Sequence, residues 1–262
     1  MATQDGNHKD FIKAGQFDFG EGLGLRIDEK RTHLWALSNR KDKEWFISQA
    51  HLFDKRTGKL KHVFIYRDTV NHFFNDLAID AKGNAYITAT YGGKIFFADL
   101  ESKKVDVFID DTLIRYPNGI ELYKNKLYIA TYGHGPLVYD FNDNSLQQLT
   151  GYSDRNIAYN LDGLAVYRNK LLGVYNTDSL QENNAVIAYT LDSGGTNIIK
   201  EELIAKGHNE FREPTTMSRS GNKLYVLATS NLNAYNSNKE SISGIEQKLL
   251  PITVIVYSLK VD

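Results

Sequence analysis

Along this chain, apolar and polar residues alternate in short runs, and the same arrangement of runs returns five times. GLRIDEKRTHLWALS, NDLAIDAKGNAYITAT, NGIELYKNKLYIAT, DGLAVYRNKLLGVYN and PTTMSRSGNKLYVLAT each hold an alternating run, a polar turn and a second run rich in aromatic or β-branched residues. A period of two residues places one face of each run on a core, so each segment predicts a β-hairpin. Lys-Gly-Asn, Lys-Asn, Arg-Asn and Gly-Asn supply the tight turns, because these residues tolerate left-handed backbone.

Further strand-like runs follow the hairpins. WFISQAHLFDK and LKHVFIYR follow the first, KIFFADL and KVDVFID the second, GPLVYDF and SLQQLT the third, and AVIAYTL and IIKEELI the fourth. Four short antiparallel strands per repeat at intervals of 40 to 50 residues are the signature of a propeller blade. The expected fold is therefore an all-β propeller of five four-stranded blades, forming one domain over residues 1–262. After the fifth hairpin only ITVIVYSLK remains, which leaves that blade one strand short. The alternating segment KDFIKAGQFDF, at about residues 9–18, is expected to supply the missing strand and close the ring, since closure removes exposed sheet edges. The polar stretch 231–248 reads as a long loop within the last blade.

Composition sharpens this picture at a few points. The 16 Tyr and 13 Phe favour strands, and four Pro leave little room for disordered linkers. A formal net charge of −1 with no long block of like charge speaks against nucleic acid as a partner. The apolar runs are far shorter than the ~20 residues of a membrane helix, so no membrane partner is expected and the chain reads as soluble. The absence of cysteine excludes disulfides, thiolate metal sites and cysteine nucleophiles. The opening MATQDGNHKD has no apolar signal-peptide region, and a periplasmic or secreted location with the signal removed stays open.

Aligning the repeats against one another places Leu23, Asn75, Asn118, Asp162 and Thr215 at one equivalent position, at the start of each innermost strand, with spacings of 52, 43, 44 and 53 residues. Innermost strands line a propeller's channel. Three amide or carboxylate side chains in register there are costly as packing unless they are satisfied. Their oxygens suit a hard divalent cation such as calcium or magnesium. The other reading is that Asn and Asp bond their own backbone where the strands begin.

The runs HFFNDLAIDAKGNAYIT, YPNGIELYKNKLYIA, LDGLAVYRNKLLGVYN and REPTT resemble successive blades of the senescence-marker-protein/gluconolactonase (regucalcin-like) family, and the likeness spans nearly the whole chain. That resemblance implies a propeller, six-bladed in the family, and a divalent-metal-dependent lactonase or related hydrolase. Carried onto this sequence, it makes Asn118 and Asp162 metal ligands with catalytic roles, and Asn75 either a ligand or a substrate contact. The implied cofactor is a divalent metal, calcium first, and the implied partner is a small-molecule substrate. Two departures stand out. Leu23 occupies the position of the family's first ligand, a glutamate, while Glu21 lies two residues earlier and out of register; and five repeats are visible rather than six. The alternative reading is a non-catalytic propeller that binds a small molecule or partner protein with a degenerate metal site.

His72, His134 and His208 fall in expected loops, where a histidine can act as a base near neutral pH or simply be solvated. Glu213 in REPTT is a candidate acid, base or substrate contact, with an ion pair to Arg212 as its plainer role. Tyr116 and Phe74, which precede two of the aligned positions, are candidates to line a pocket. His72, Glu213 and Tyr116 join Asn75 as candidate substrate contacts. There is no GxSxG, HExxH, GxxxxGK[ST] or helix-opening GxGxxG, so serine-hydrolase, zincin, phosphate-loop and dinucleotide readings lack support. The glycine pairs at 92–93 and 194–195 read as hairpin turns.

Overall fold

The computed structural model describes residues 10–176, 181–237 and 249–259. It forms two compact units, Met1–Pro117 and Asn118–Asp262. The sequence-predicted hairpins form throughout, and every sheet is antiparallel with sequential neighbours.

The first unit holds two four-stranded sheets. One runs β1 (Glu21–Asp28), β2 (His33–Asp42), β3 (Trp45–Asp54) and β4 (Leu60–Asp68). The other runs β5 (Phe74–Ile79), β6 (Ala85–Ala89), β7 (Lys94–Asp99) and β8 (Lys104–Ile109). Alternation decides which residues meet between them. Trp35, Leu37, Leu52 and Phe64 of the first sheet pack against Phe74, Leu77, Ile87 and Phe96 of the second, and all eight are buried. Removing that apolar area from water stabilises the pair by roughly 25 cal/mol per Å².

The second unit holds three sheets. The first joins β9 (Pro117–Tyr123), β10 (Lys126–Thr131), β11 (Gly135–Asp140) and β12 (Ser145–Gln148). The next joins β13 (Leu161–Tyr167), β14 (Lys170–Tyr175), β15 (Ala185–Leu191) and β16 (Ile198–Lys206). The last joins β17 (Met217–Ser220), β18 (Lys223–Thr229) and β19 (Thr253–Ser258), three strands among the described residues. Tyr128, Ala130 and Val138 pack on Leu161, Leu164 and Leu171, and on the far side Leu172 and Val174 pack on Met217, Leu224 and Val226. Among the described residues two short α-helices interrupt the sheets: α1 (Arg155–Ala158), capped by the Asp154 carboxylate on the Asn156 and Ile157 amides, and α2 (Leu232–Asn236). The latter stands where a loop was expected over 231–248; residues 238–248 of that expectation lie outside the described residues. The 92–93 and 194–195 glycine pairs do form turns, each with its second glycine left-handed.

One expectation is corrected. The N-terminal segment is not the missing strand of the last sheet. Within residues 10–19 there is no strand, only a 3-10 turn at Gln16–Asp18, because Gly15, Phe17 and Asp18 all adopt positive φ and break the extended path. The segment instead covers β3 of the first sheet. Phe11 and Phe17 meet the Phe53 ring at 5.6 and 5.9 Å, Phe19 meets His51 at 4.9 Å, and His51 Nε2 donates to the Phe17 carbonyl at 3.1 Å. Burial there pushes the His51 imidazole below its ordinary pKa. The apolar residues that read as strand alternation are anchors onto a sheet face.

Candidate functional site

Four of the five aligned positions, Leu23, Asn75, Asp162 and Thr215, share a backbone device that alternation alone does not reveal. On β1, Leu23 and Gly24 together oppose the single residue Leu37, because pairing passes from Gly22↔Ser38 to Leu25↔Ala36. On β5, Asn75 and Asp76 oppose Thr88, and on β13, Asp162 and Gly163 oppose Val174. Just ahead of β17, the Thr215 N–H donates to the Leu227 carbonyl while the Leu227 N–H donates to the Thr216 carbonyl, the same two-against-one pattern. Each is a β-bulge, which bends the strand and re-aims the side chain it carries.

The residue after the aligned position explains the glycines. A Cβ on Gly24 would lie 2.6 Å from the Asn75 carbonyl oxygen, so β1 approaches β5 backbone to backbone. A Cβ on Gly119 would lie 2.6 Å from the Leu164 nitrogen, and one on Gly163 would lie 2.7 Å from the Thr216 Cα. Only glycine allows such approach without displacement. In the second unit the bulge of β13 therefore sits directly against Asn118–Gly119 of β9, which makes Asn118 and Asp162 neighbours through their backbones.

The amides are held inside their own sheets. Asn75 Nδ2 donates to Thr90 Oγ1 at 2.9 Å, and Thr90 Oγ1 donates to the Pro117 carbonyl at 2.8 Å. Asn118 Nδ2 donates to the Tyr132 hydroxyl at 3.0 Å. With the nitrogen engaged, each carboxamide oxygen is turned away from that hydroxyl. Asn118 is buried, whereas Asn75 and Asp162 are half-buried. Among the described residues no three or more His, Asp or Glu side chains stand together as a metal-holding group. The oxygen chemistry of Asn118 and Asp162 fits a hard cation, and the second unit brings one carboxylate to these positions.

The other sequence candidates separate. His72 is 4% exposed rather than a solvated loop residue: its ring meets those of Tyr66 and Phe96 edge-on at 5.1 and 5.3 Å, and its Nε2 donates to Asp68 Oδ2 at 2.8 Å. That bond, followed by the Val70 backbone N–H, holds the Asp68 carboxyl below its usual pKa. Glu213 Oε1 accepts the Asn233 N–H at 2.7 Å at the start of α2. His134 lies in the β10–β11 turn, where its N–H donates to Thr131 Oγ1. His208 Nδ1 accepts the Glu210 N–H in an exposed turn. Phe74 belongs to the core rather than to a pocket wall, but Tyr116 is 46% exposed, with the Arg115 guanidinium 5.7 Å from its ring.

Two features had no place in the sequence reading. Phe73 and Tyr116, each two residues before an aligned asparagine, hold positive φ of 59° and 50°. For bulky residues this conformation costs about 1–3 kcal/mol and persists only where neighbours dictate it. The Phe73 ring lies 4.9 Å from Tyr91, which is 59% exposed. Separately, a cleft of about 720 Å³ in the first unit is lined by His33, Asp54, Lys61, His62 and Lys103, but by none of the aligned residues.

No protein-family model matches the chain, and no curated protein matches it in sequence. Solved structures do match. Virginiamycin B lyase from Staphylococcus aureus aligns at 11% identity over 95% of this chain and 73% of that one, with a TM-score of 0.58. Kuenenia stuttgartiensis hydrazine synthase aligns at 15% identity over 95% and 67%, TM-score 0.60, and U3-55K at 13% over 80% and 58%, TM-score 0.55. The fold is a β-propeller. At these identities the likeness extends to the fold alone. In the described residues of this propeller, no helix is long and apolar enough to cross a membrane.

Proposed function

We propose that this propeller is a metal-dependent hydrolase of lactone-like small molecules, in which Asn118 and Asp162 hold a divalent cation, calcium first. The observation that carries the reading is the backbone contact between the β13 bulge and Gly119 of β9, which brings an amide and a carboxylate from adjacent inner strands to neighbouring positions. The resemblance of HFFNDLAIDAKGNAYIT, YPNGIELYKNKLYIA and LDGLAVYRNKLLGVYN to the senescence-marker-protein/gluconolactonase family supports the same pair. Asp162 supplies the negative charge. Tyr132 accepts from the Asn118 amide nitrogen and so orients the carboxamide whose oxygen would ligate. A cation bound there would polarise a lactone carbonyl and make water a stronger acid. Asn75, whose amide is oriented in the same way by Thr90, serves as a substrate contact in the first unit.

The test is a lactone panel assayed with calcium, magnesium, manganese and zinc, with and without chelator. Metal-dependent turnover supports the reading, and turnover indifferent to chelator removes the metal. A second reading, a propeller that binds a small molecule or partner protein without chemistry, is favoured by one feature: Leu23 stands where the family carries a glutamate. With one carboxylate the charge available to a cation is low, and affinity in such sites follows ligand charge and number. Absence of turnover with every lactone and metal would select it.

A further inference from the structure

Phe73 is held in its unfavourable conformation from both sides. On one side, Asn39 clamps the next residue: Asn39 Oδ1 accepts the Phe74 N–H at 2.8 Å, and Asn39 Nδ2 donates to the Phe74 carbonyl at 2.9 Å. On the other, the His72 carbonyl accepts the N–H groups of Tyr91 and Gly92, while the His72 ring is anchored to Asp68. Glycine adopts φ near +60° without penalty, yet the residue here is phenylalanine. Its half-exposed ring tilts only 31° from that of Tyr91. Such a pair has burial to gain and has not gained it within the chain.

The neighbours of this pair are polar and aimed. Phe73 is two residues from Asn75, and Tyr91 follows Thr90, the hydroxyl that receives the Asn75 amide. Thr90 Oγ1 donates to the Pro117 carbonyl, which brings the residue after Tyr116 to the hydroxyl that receives the Asn75 amide, and Tyr116, like Phe73, is held at positive φ. Exposed aromatic faces next to an oriented amide make up the ordinary composition of a small-molecule subsite, flat and apolar on one side with a few placed polar groups on the other.

We propose that Phe73 and Tyr91, bordered by Tyr116, form a stacking subsite for an aryl ring of the ligand, whose amide- or ester-like polar end lies at Asn75. The proposal rests on the reading of Asn75 as a substrate contact and names a determinant of specificity: a fused or attached aromatic ring. It does not depend on hydrolysis.

The experiment measures equilibrium binding by ligand-observed NMR, using two lactams that resist turnover: 3,4-dihydroquinolin-2-one, which carries a fused benzene ring, and δ-valerolactam, which does not. The wild-type protein is expected to bind the aryl lactam at least about fivefold more tightly, the scale of one aromatic contact. Tyr91→Ala and Phe73→Gly are each expected to reduce that preference to within about twofold. Phe73→Gly also relieves the left-handed strain, so its melting temperature should hold or rise while binding weakens, a combination that loss of folding cannot produce. Equal binding of the two lactams, no detectable binding of either, or a preference that survives both substitutions would overturn the proposal. A retained aryl preference in a protein that hydrolyses no lactone would remove the hydrolase and leave the subsite; lactone turnover without aryl preference would do the reverse.

Discussion

Strands β1 and β13 are built by the same backbone device and put to different ends. Both bulge at the aligned position, both place glycine next, and both bring that glycine against the backbone of the neighbouring inner strand. Yet β13 presents Asp162 where β1 presents Leu23, and the apolar residue two places on is 1% exposed in β13, as Leu164, but 62% exposed in β1, as Leu25. Bulge and glycine are therefore architecture, indifferent to the side chain they carry. Chemistry and burial are then set blade by blade.

The largest difference should appear at those two leucines. Leu164→Ala leaves a cavity among Tyr128, Ala130 and Leu161 and is expected to lower stability by about 2–5 kcal/mol in denaturant titration. Leu25→Ala should change it by no more than ~0.5 kcal/mol, as exposed substitutions do. Comparable losses at both would mean that Leu25 is covered in solution. Next come the glycines, where the comparison predicts sameness. Gly163→Ala and Gly24→Ala each force a Cβ into facing backbone, and each should cost about 1–3 kcal/mol as overpacking. A harmless alanine at either position would separate the two strands.

The smallest effect concerns pH. The Asp68 carboxyl titrates below its unfolded value because His72 and the Val70 amide bond to it. A depressed carboxylate contributes stability that is complete above the unfolded pKa, about 3.9, and is lost as pH falls through the folded value. Asp68→Asn should therefore flatten the acid limb of the stability profile below about pH 4. An unchanged acid limb would mean that the His72–Asp68 contact has no energetic weight.

Much of this molecule was legible because alternation and turn chemistry repeat. The hairpins, the blade pattern and the equivalence of Leu23, Asn75, Asn118, Asp162 and Thr215 all follow from spacing. The bulges were not legible, since a two-against-one register leaves alternation intact on either side; Leu-Gly and Asp-Gly mark two of them at strand starts, whereas Asn75-Asp76 and Thr215-Thr216 bulge without a glycine. The N-terminal segment misled for a physical reason. Phe11, Phe17 and Phe19 have the hydrophobicity of a strand, but positive φ at Gly15, Phe17 and Asp18 turns them into anchors on Phe53 and His51. Likewise the burial of His72 depends on Tyr66 and Phe96, which no local pattern connects to it.

The central claim is that the Asp162 bulge, set against Asn118, holds a cation. Calorimetric titration of calcium into the wild-type protein and into Asp162→Asn tests it most directly, because the amide keeps the shape and removes only the charge. Saturable binding by the wild-type protein, weakened at least about tenfold in the variant with an unchanged melting temperature, is the expected result. Equal affinity in the two proteins, or no binding to either, would contradict the account.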